Sequence, residues 1–187
     1  MKILVFGASL RKESLNKKFA ARAAETLKKI DDVTVDYADF REFEMPVYDG
    51  DLEETSGVPE GAKKLIKRIS EADAVVISTP EYNGGMPGAL KNAVDWVSRV
   101  TPVALSAKPL LLLGASPGAL GAVRSLWHSR VPFEAIGTLV FPEMFGLPKA
   151  NSAFNETNEF IDTKSQERLE KLLNNYVKYA RNLRMQS

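Results

Sequence analysis

The chain has 187 residues, 44% of them hydrophobic and 26% charged, which is the balance of an ordinary globular domain. Lys and Arg number 25 against 24 Asp and Glu, a net charge of +1, so no global field draws it to nucleic acid or to an anionic membrane. With no cysteine and one histidine, disulfides, thiolate nucleophiles and His-cluster metal sites are excluded, and a cytoplasmic setting is expected.

Ile3–Phe6 is a near-continuous apolar run ending at Gly7, as in a strand buried on both faces. This opening run is broken too early, at Gly7 and Arg11, for a secretory signal, and no later run reaches the ~20 residues of a membrane span. Leu15, Phe19, Ala23, Leu27 and Ile30 then recur at helical spacing, with Ser14 placed to cap the start. Val33, Val35 and Tyr37 alternate as a strand does. The charge-rich stretch from Asp49 to Glu54 reads as a solvated loop. A second helix begins at Pro59, with Ala62, Leu65, Ile66 and Ile69 on its apolar side. Ala74–Ile77 and Pro109–Leu113 read as buried strands, and Thr138–Phe141 as a short fifth. Pro132 falls where the helix after the fourth strand should still be running, which predicts a kink or an early end. Leu169, Leu172, Leu173, Tyr176, Ala180 and Leu183 form the stripe of a C-terminal helix.

Strands alternating with helices predict parallel pairing through right-handed crossovers. Five strands in a chain of this size predict an α/β flavodoxin-like doubly wound sheet, order 2-1-3-4-5, with helices on both faces and residues 1–187 as one domain. Ligands of such sheets sit beyond the carboxyl ends of the strands, near the switch between strands 1 and 3.

The loops at that edge are chemically unusual. After the first strand come Ser9, Arg11, Ser14 and Asn16, which bring hydroxyls, a guanidinium and an amide to a helix N-terminus. Neither G-x-G-x-x-G nor a P-loop is present, so the pattern suits a monophosphate held partly by side chains; alternatively, Ser14 caps the helix and Arg11 is solvated. After the third strand, Pro80, Glu81, Tyr82 and Asn83 precede two glycines in a stiff turn that offers an aromatic face to a planar heterocycle, or simply a tight connection anchored by Tyr82. Gly114-Ala-Ser116-Pro-Gly118 after the fourth strand reads by itself as a turn.

The segments SLRKESLN, TPEYNGGMPGALKNAVDW and GASPG, with PVYDGDLE after the second strand, resemble the NADPH-dependent FMN reductase family, which includes bacterial chromate/quinone reductases and related azoreductases. The likeness runs from residue 1 to about Arg124. It implies non-covalent FMN, NADPH or NADH as donor, and a homodimer or a dimer-of-dimers tetramer. By the same resemblance Ser9, Arg11, Ser14 and Asn16 cradle the FMN phosphate, Pro80, Glu81, Tyr82 and Asn83 run along the isoalloxazine, and Ser116 lies near its pyrimidine side. Two departures stand out: Glu13 where the family commonly has Gly, and Ala119-Leu120 in place of glycines.

The function expected is ping-pong, two-electron reduction of quinones, azo compounds, flavins or oxidised metal ions such as chromate. No side chain is cast as catalytic, because hydride transfer belongs to the FMN itself, and no metal is required. The alternative is a flavodoxin-type one-electron carrier without a substrate site of its own; such carriers are strongly acidic, whereas this chain carries +1. A receiver-type signalling domain would need clustered acids after the first strand, and Gly7-Ala-Ser9 supplies none. His128 reads as a surface or packing residue, Lys91 and Asp95 as a helical pair, and the Met86/Trp96 region as a partner-facing apolar patch. Arg99 and Lys91 are the cations available for a donor 2′-phosphate.

Overall fold

A parallel sheet organises the protein, and its central strands carry almost no polar side chain because helices cover both faces. The computed structural model describes residues 1–185. Strands β1 (Lys2–Gly7), β2 (Thr34–Asp39), β3 (Ala74–Thr79) and β4 (Pro109–Ala115) stand in the order β2-β1-β3-β4, followed by β5 (Leu139–Val140). The doubly wound order read from the sequence is therefore present.

Alternate residues of each strand feed two cores. Ile3, Val5, Val76, Leu111 and Leu113 pack under α1 (Leu15–Leu27) and α6 (Thr163–Arg184). Leu4, Phe6, Val75, Ile77, Leu110 and Leu112 pack under α3 (Glu60–Glu71), α4 (Gly88–Val97) and α5 (Val123–Ala135). The buried Tyr176 of α6 sets its hydroxyl 2.7 Å from the Val75 carbonyl and 2.9 Å from that of Pro109, which locks the helix to the starts of β3 and β4.

Four local expectations need correction. The fifth strand is two short ones: β5 pairs with Pro109 and Leu110, and β6 (Phe145–Leu147) pairs with Leu113 to Ala115. Pro142, which has no N–H to offer a ladder, lies between them. The acidic stretch read as a loop is a short exposed helix, α2 (Gly50–Ser56), because the Asp49 side chain accepts from the Asp51 N–H at 2.9 Å and caps it. Helix α5 passes through Pro132 and ends at Ala135. His128, whose carbonyl Pro132 cannot serve, is exposed, so water can take its place. Trp96 is fully buried and belongs to no surface patch.

Trp96 is drawn inward by a specific partner. Its indole N–H and the Asn92 side-chain amide both donate to the Pro46 carbonyl at 2.8 Å, while Asn92 Oδ1 accepts from the Tyr48 N–H at 2.8 Å. Two of the segments that carry the family likeness, PVYDGDLE and LKNAVDW, thus recognise each other.

Candidate flavin site

The carboxyl ends of β1, β3 and β4 open into one cleft of ≈ 110 Å³. Its walls include Ser9, Arg11, Ser14 and Asn16 from the first loop, Pro80 to Tyr82 from the second, and Ser116 from the third. Eight of the nine residues predicted for the site therefore line one space. Asn83 does not line it; it stands exposed in the turn with φ 50.

Gly7 makes the first loop possible. A Cβ there would meet the Asn16 carbonyl oxygen and Lys17 nitrogen at 2.7 Å, so only glycine lets the end of β1 pass beneath the start of α1. Ser14 is the N-cap of α1, its Oγ accepting from the N–H groups of Asn16 at 3.2 Å and Lys17 at 3.4 Å. Ser9 Oγ likewise accepts from the Arg11 N–H at 3.3 Å. Ser14 thus caps α1 and also lines the cleft. Each hydroxyl serves as an acceptor in these bonds, so its own proton is left for a further hydrogen bond.

Arg11 is exposed on the rim, and its guanidinium has no ion-pair partner among the described residues. Arg41 steadies the loop from outside, its Nε donating to the Leu10 carbonyl at 2.7 Å. Glu13, the departure from the family pattern, is exposed and lines neither this cleft nor the groove beside it.

Asn16 turns its amide inward. Oδ1 accepts from Ser78 Oγ at 2.9 Å and the Ala115 N–H at 2.8 Å, and Nδ2 donates to the Ala115 carbonyl at 2.9 Å. One side chain thereby fixes the start of α1 to the ends of β3 and β4, the three elements that form the cleft.

Glu81 is held from the opposite side. Its carboxylate accepts from Arg124 Nε at 2.7 Å and from the N–H groups of Arg124 at 3.1 Å and Ser125 at 3.4 Å. Burial alone would raise its pKa, but the Arg124 hydrogen bond, the backbone donors and the guanidinium charge prevail and hold it below the usual carboxylate range. The sequence reading missed Arg124 and Ser125. A signal was available: α5 begins after Ala122, a residue with no capping group, so its first N–H groups need an acceptor from elsewhere.

A second, mostly apolar groove of ≈ 270 Å³ adjoins the cleft and shares Ser9, Arg11 and Tyr82 with it, continuing over Leu10, Pro87 and Ala89. Together the two spaces fall in the range of roughly 300–1,000 Å³ usual for small-molecule sites. The remaining predicted groups lie elsewhere. Lys91 pairs with Asp95 at 2.6 Å, as its spacing foretold. Arg99 is engaged by Glu53 at 2.9 Å and stacks over Tyr48, so neither cation stands free for a dinucleotide phosphate. His128 is exposed on α5 but abuts the turn of the second loop: a Cβ on Gly85 would lie 3.5 Å from its Nδ1. Among the described residues, no group of three or more His, Cys, Asp or Glu side chains gathers to hold a metal ion.

The donor set fits FMN. Two inward hydroxyls, a free guanidinium and a helix N-terminus suit a phosphate, and Leu15, Pro80, Tyr82 and Pro117 offer apolar walls to a flat ring. Comparison with known proteins agrees. The NADPH-dependent FMN reductase family profile matches residues 1–152. A quinone reductase of Escherichia coli K12 is 35% identical over 165 residues, covering 87% of this chain and 86% of that protein. An NAD(P)H-dependent FMN reductase of Pseudomonas aeruginosa is 33% identical over 187 residues, covering 98% and 97%. Among solved structures, the flavoenzyme NAD(P)H:(acceptor) oxidoreductase of Paracoccus denitrificans superposes with a TM-score of 0.82 at 27% identity, covering 97% of each chain.

Proposed function

The chain belongs to the NADPH-dependent FMN reductase family, and from that premise we propose that the cleft between its first, third and fourth strand loops is the FMN site of a reductase for quinones and other planar acceptors. Its activity is that of an NAD(P)H-dependent FMN oxidoreductase. The observation that carries the assignment of the site is the meeting, in one cleft, of three loops far apart in sequence that each bear a family motif.

In this reading Ser9, Ser14 and Arg11 hold the phosphate, and the α1 N-terminus adds its partial positive charge. Asn16 holds the loops in register, Pro80 to Tyr82 flank the ring, and Ser116 faces its pyrimidine edge. When bound, FMN supplies hydride acceptance from NAD(P)H and onward delivery to the acceptor. The chain's own task is placement and the exclusion of water. The single carboxylate of the lining, Glu81, is committed to Arg124.

Shape-tolerant stacking against Tyr82, Pro87 and Leu10 favours a broad acceptor range, because strict discrimination would need buried polar partners. Quinones lead this range because a close relative is named a quinone reductase; azo compounds, flavins and chromate follow by the same stacking or electron-transfer chemistry. Donor and acceptor share one opening, so they occupy it in turn. Initial rates varied in NADPH and several quinones are therefore expected to give parallel double-reciprocal lines. Lines that intersect for every quinone would mean that both substrates bind together, and the single-opening reading would fail.

The whole chain, 1–187, is read as one domain, supported by the return of α6 onto α1. Association of copies is supported by an apolar stripe on α5 and the turn before it: Leu120, Trp127 and Val131 are 55%, 57% and 70% exposed. This stripe replaces the Met86/Trp96 region as the partner-facing patch. Light scattering at micromolar concentration should report a homodimer or a dimer-of-dimers tetramer; a monomer mass would remove the interface. A cytoplasmic location is supported by the absence of cysteine and by dependence on NAD(P)H. No helix among the described residues is long and apolar enough to cross a membrane.

A further inference from the structure

Helix α5 starts in an unusual way. Its N-cap position, Ala122, has a left-handed backbone (φ 66, ψ 21) and no side-chain acceptor. A normal N-cap serves the N–H groups of the second and third helical residues, which here are Arg124 and Ser125. Both are served by Glu81, which comes from another loop. Glu81 Oε1 also takes Arg124 Nε at 2.7 Å and pairs with its Nη2. Ser125 Oγ completes the tie, donating to the Pro80 carbonyl at 2.8 Å.

An ionised carboxyl offers about four acceptor positions and no proton to donate. In Glu81 four donors already fill them: two groups of the Arg124 guanidinium and two backbone N–H groups. With a side chain only 8% exposed, Glu81 has no remaining lone pair for a flavin edge, although its residue lines the cleft. What it does is fasten Pro80 and Tyr82, one wall of the cleft, to the first turn of α5.

We propose that Glu81 is a positioning residue, not a flavin ligand: acting through Arg124 and Ser125, it holds the Pro80–Tyr82 wall against α5 at the distance FMN requires. This rests on the reading of the cleft as the FMN site, and the test separates the two. Release of FMN on dilution of the holoprotein is followed by the gain in flavin fluorescence, for the unaltered protein, Glu81→Gln, Arg124→Gln and the double variant. Glu81→Gln is isosteric, and Arg124 is half exposed, so the second arm does not depend on tolerance in the interior.

Each single substitution is expected to raise the dissociation constant about tenfold, the scale of one charge-assisted hydrogen bond. The double variant should be no more than about twofold weaker than either single, because both remove the same ion pair. The visible absorption bands of the bound flavin should keep their positions in all three variants. Losses that multiply in the double variant, a shifted flavin band in Glu81→Gln alone, or unaltered affinity in Arg124→Gln would each overturn the proposal. An unaltered protein that binds no FMN would instead overturn the site assignment itself.

Discussion

Arg11→Ala is expected to weaken FMN binding by about 1.5–3 kcal/mol, the range for a hydrogen bond to a charged group. The forked guanidinium lines both the cleft and the neighbouring groove, and no acidic group of the described chain competes for it. A phosphate there would meet Arg11, the protons of Ser9 and Ser14, and the start of α1 at once. Removing the one full charge from that set should also flatten the salt dependence of binding, because the attraction between guanidinium and phosphate is ionic. Fluorescence titration at low and high salt measures both. Affinity unchanged at either ionic strength would mean that Arg11 is only solvated and that the phosphate sits elsewhere.

Asn16→Ala should cost about 3–5 kcal/mol of stability even without cofactor, since each buried polar group left without a partner costs roughly 1–3 kcal/mol. Asn16 is 2% exposed and makes three hydrogen bonds, to Ser78 and to both backbone groups of Ala115. Alanine would strand an N–H and a carbonyl at the end of the central β4. Asn16→Asp should not rescue it, because a carboxylate cannot donate to the Ala115 carbonyl and would repel it. Urea unfolding of the FMN-free protein gives the difference directly. A loss below about 1 kcal/mol would show that this tie bears little of the load, as a surface hydrogen bond would.

The two variants together show what is legible in the sequence and what is not. The strand-and-helix frame is legible because β1, β3 and β4 are short apolar runs closed by small residues, and α1 and α6 keep their stripes at helical spacing. Residue types likewise mark the three loops. What each side chain does is not legible. Asn16 sits in the phosphate motif but spends its amide on Ala115, and Glu81 sits in the ring motif but spends its carboxylate on α5. Both bonds span more than forty positions of sequence, beyond the reach of local pattern.

The missed elements have similar causes. Helix α2 depends on one capping carboxylate, Asp49, more than on an apolar face, since none of its residues is buried. The division of the last strand depends on where Pro142 falls against β4. Trp96 shares helical spacing with the buried Ala93, which suits core or interface alike, and its bond to the Pro46 carbonyl accompanies its place in the interior. A local cap, a proline and one long-range polar bond, not hydrophobic periodicity, decide these details, and long-range polar bonds decide the site as well.

Anaerobic addition of NADPH to the purified holoprotein, followed by absorbance of the flavin band, tests the central claim most directly. A reductase with its donor site at the FMN cleft predicts full bleaching by one equivalent before any acceptor is present, and return of the band when a quinone is added. A band that persists for minutes in excess NADPH, yet bleaches with a chemical reductant, would contradict it and leave a one-electron carrier in its place.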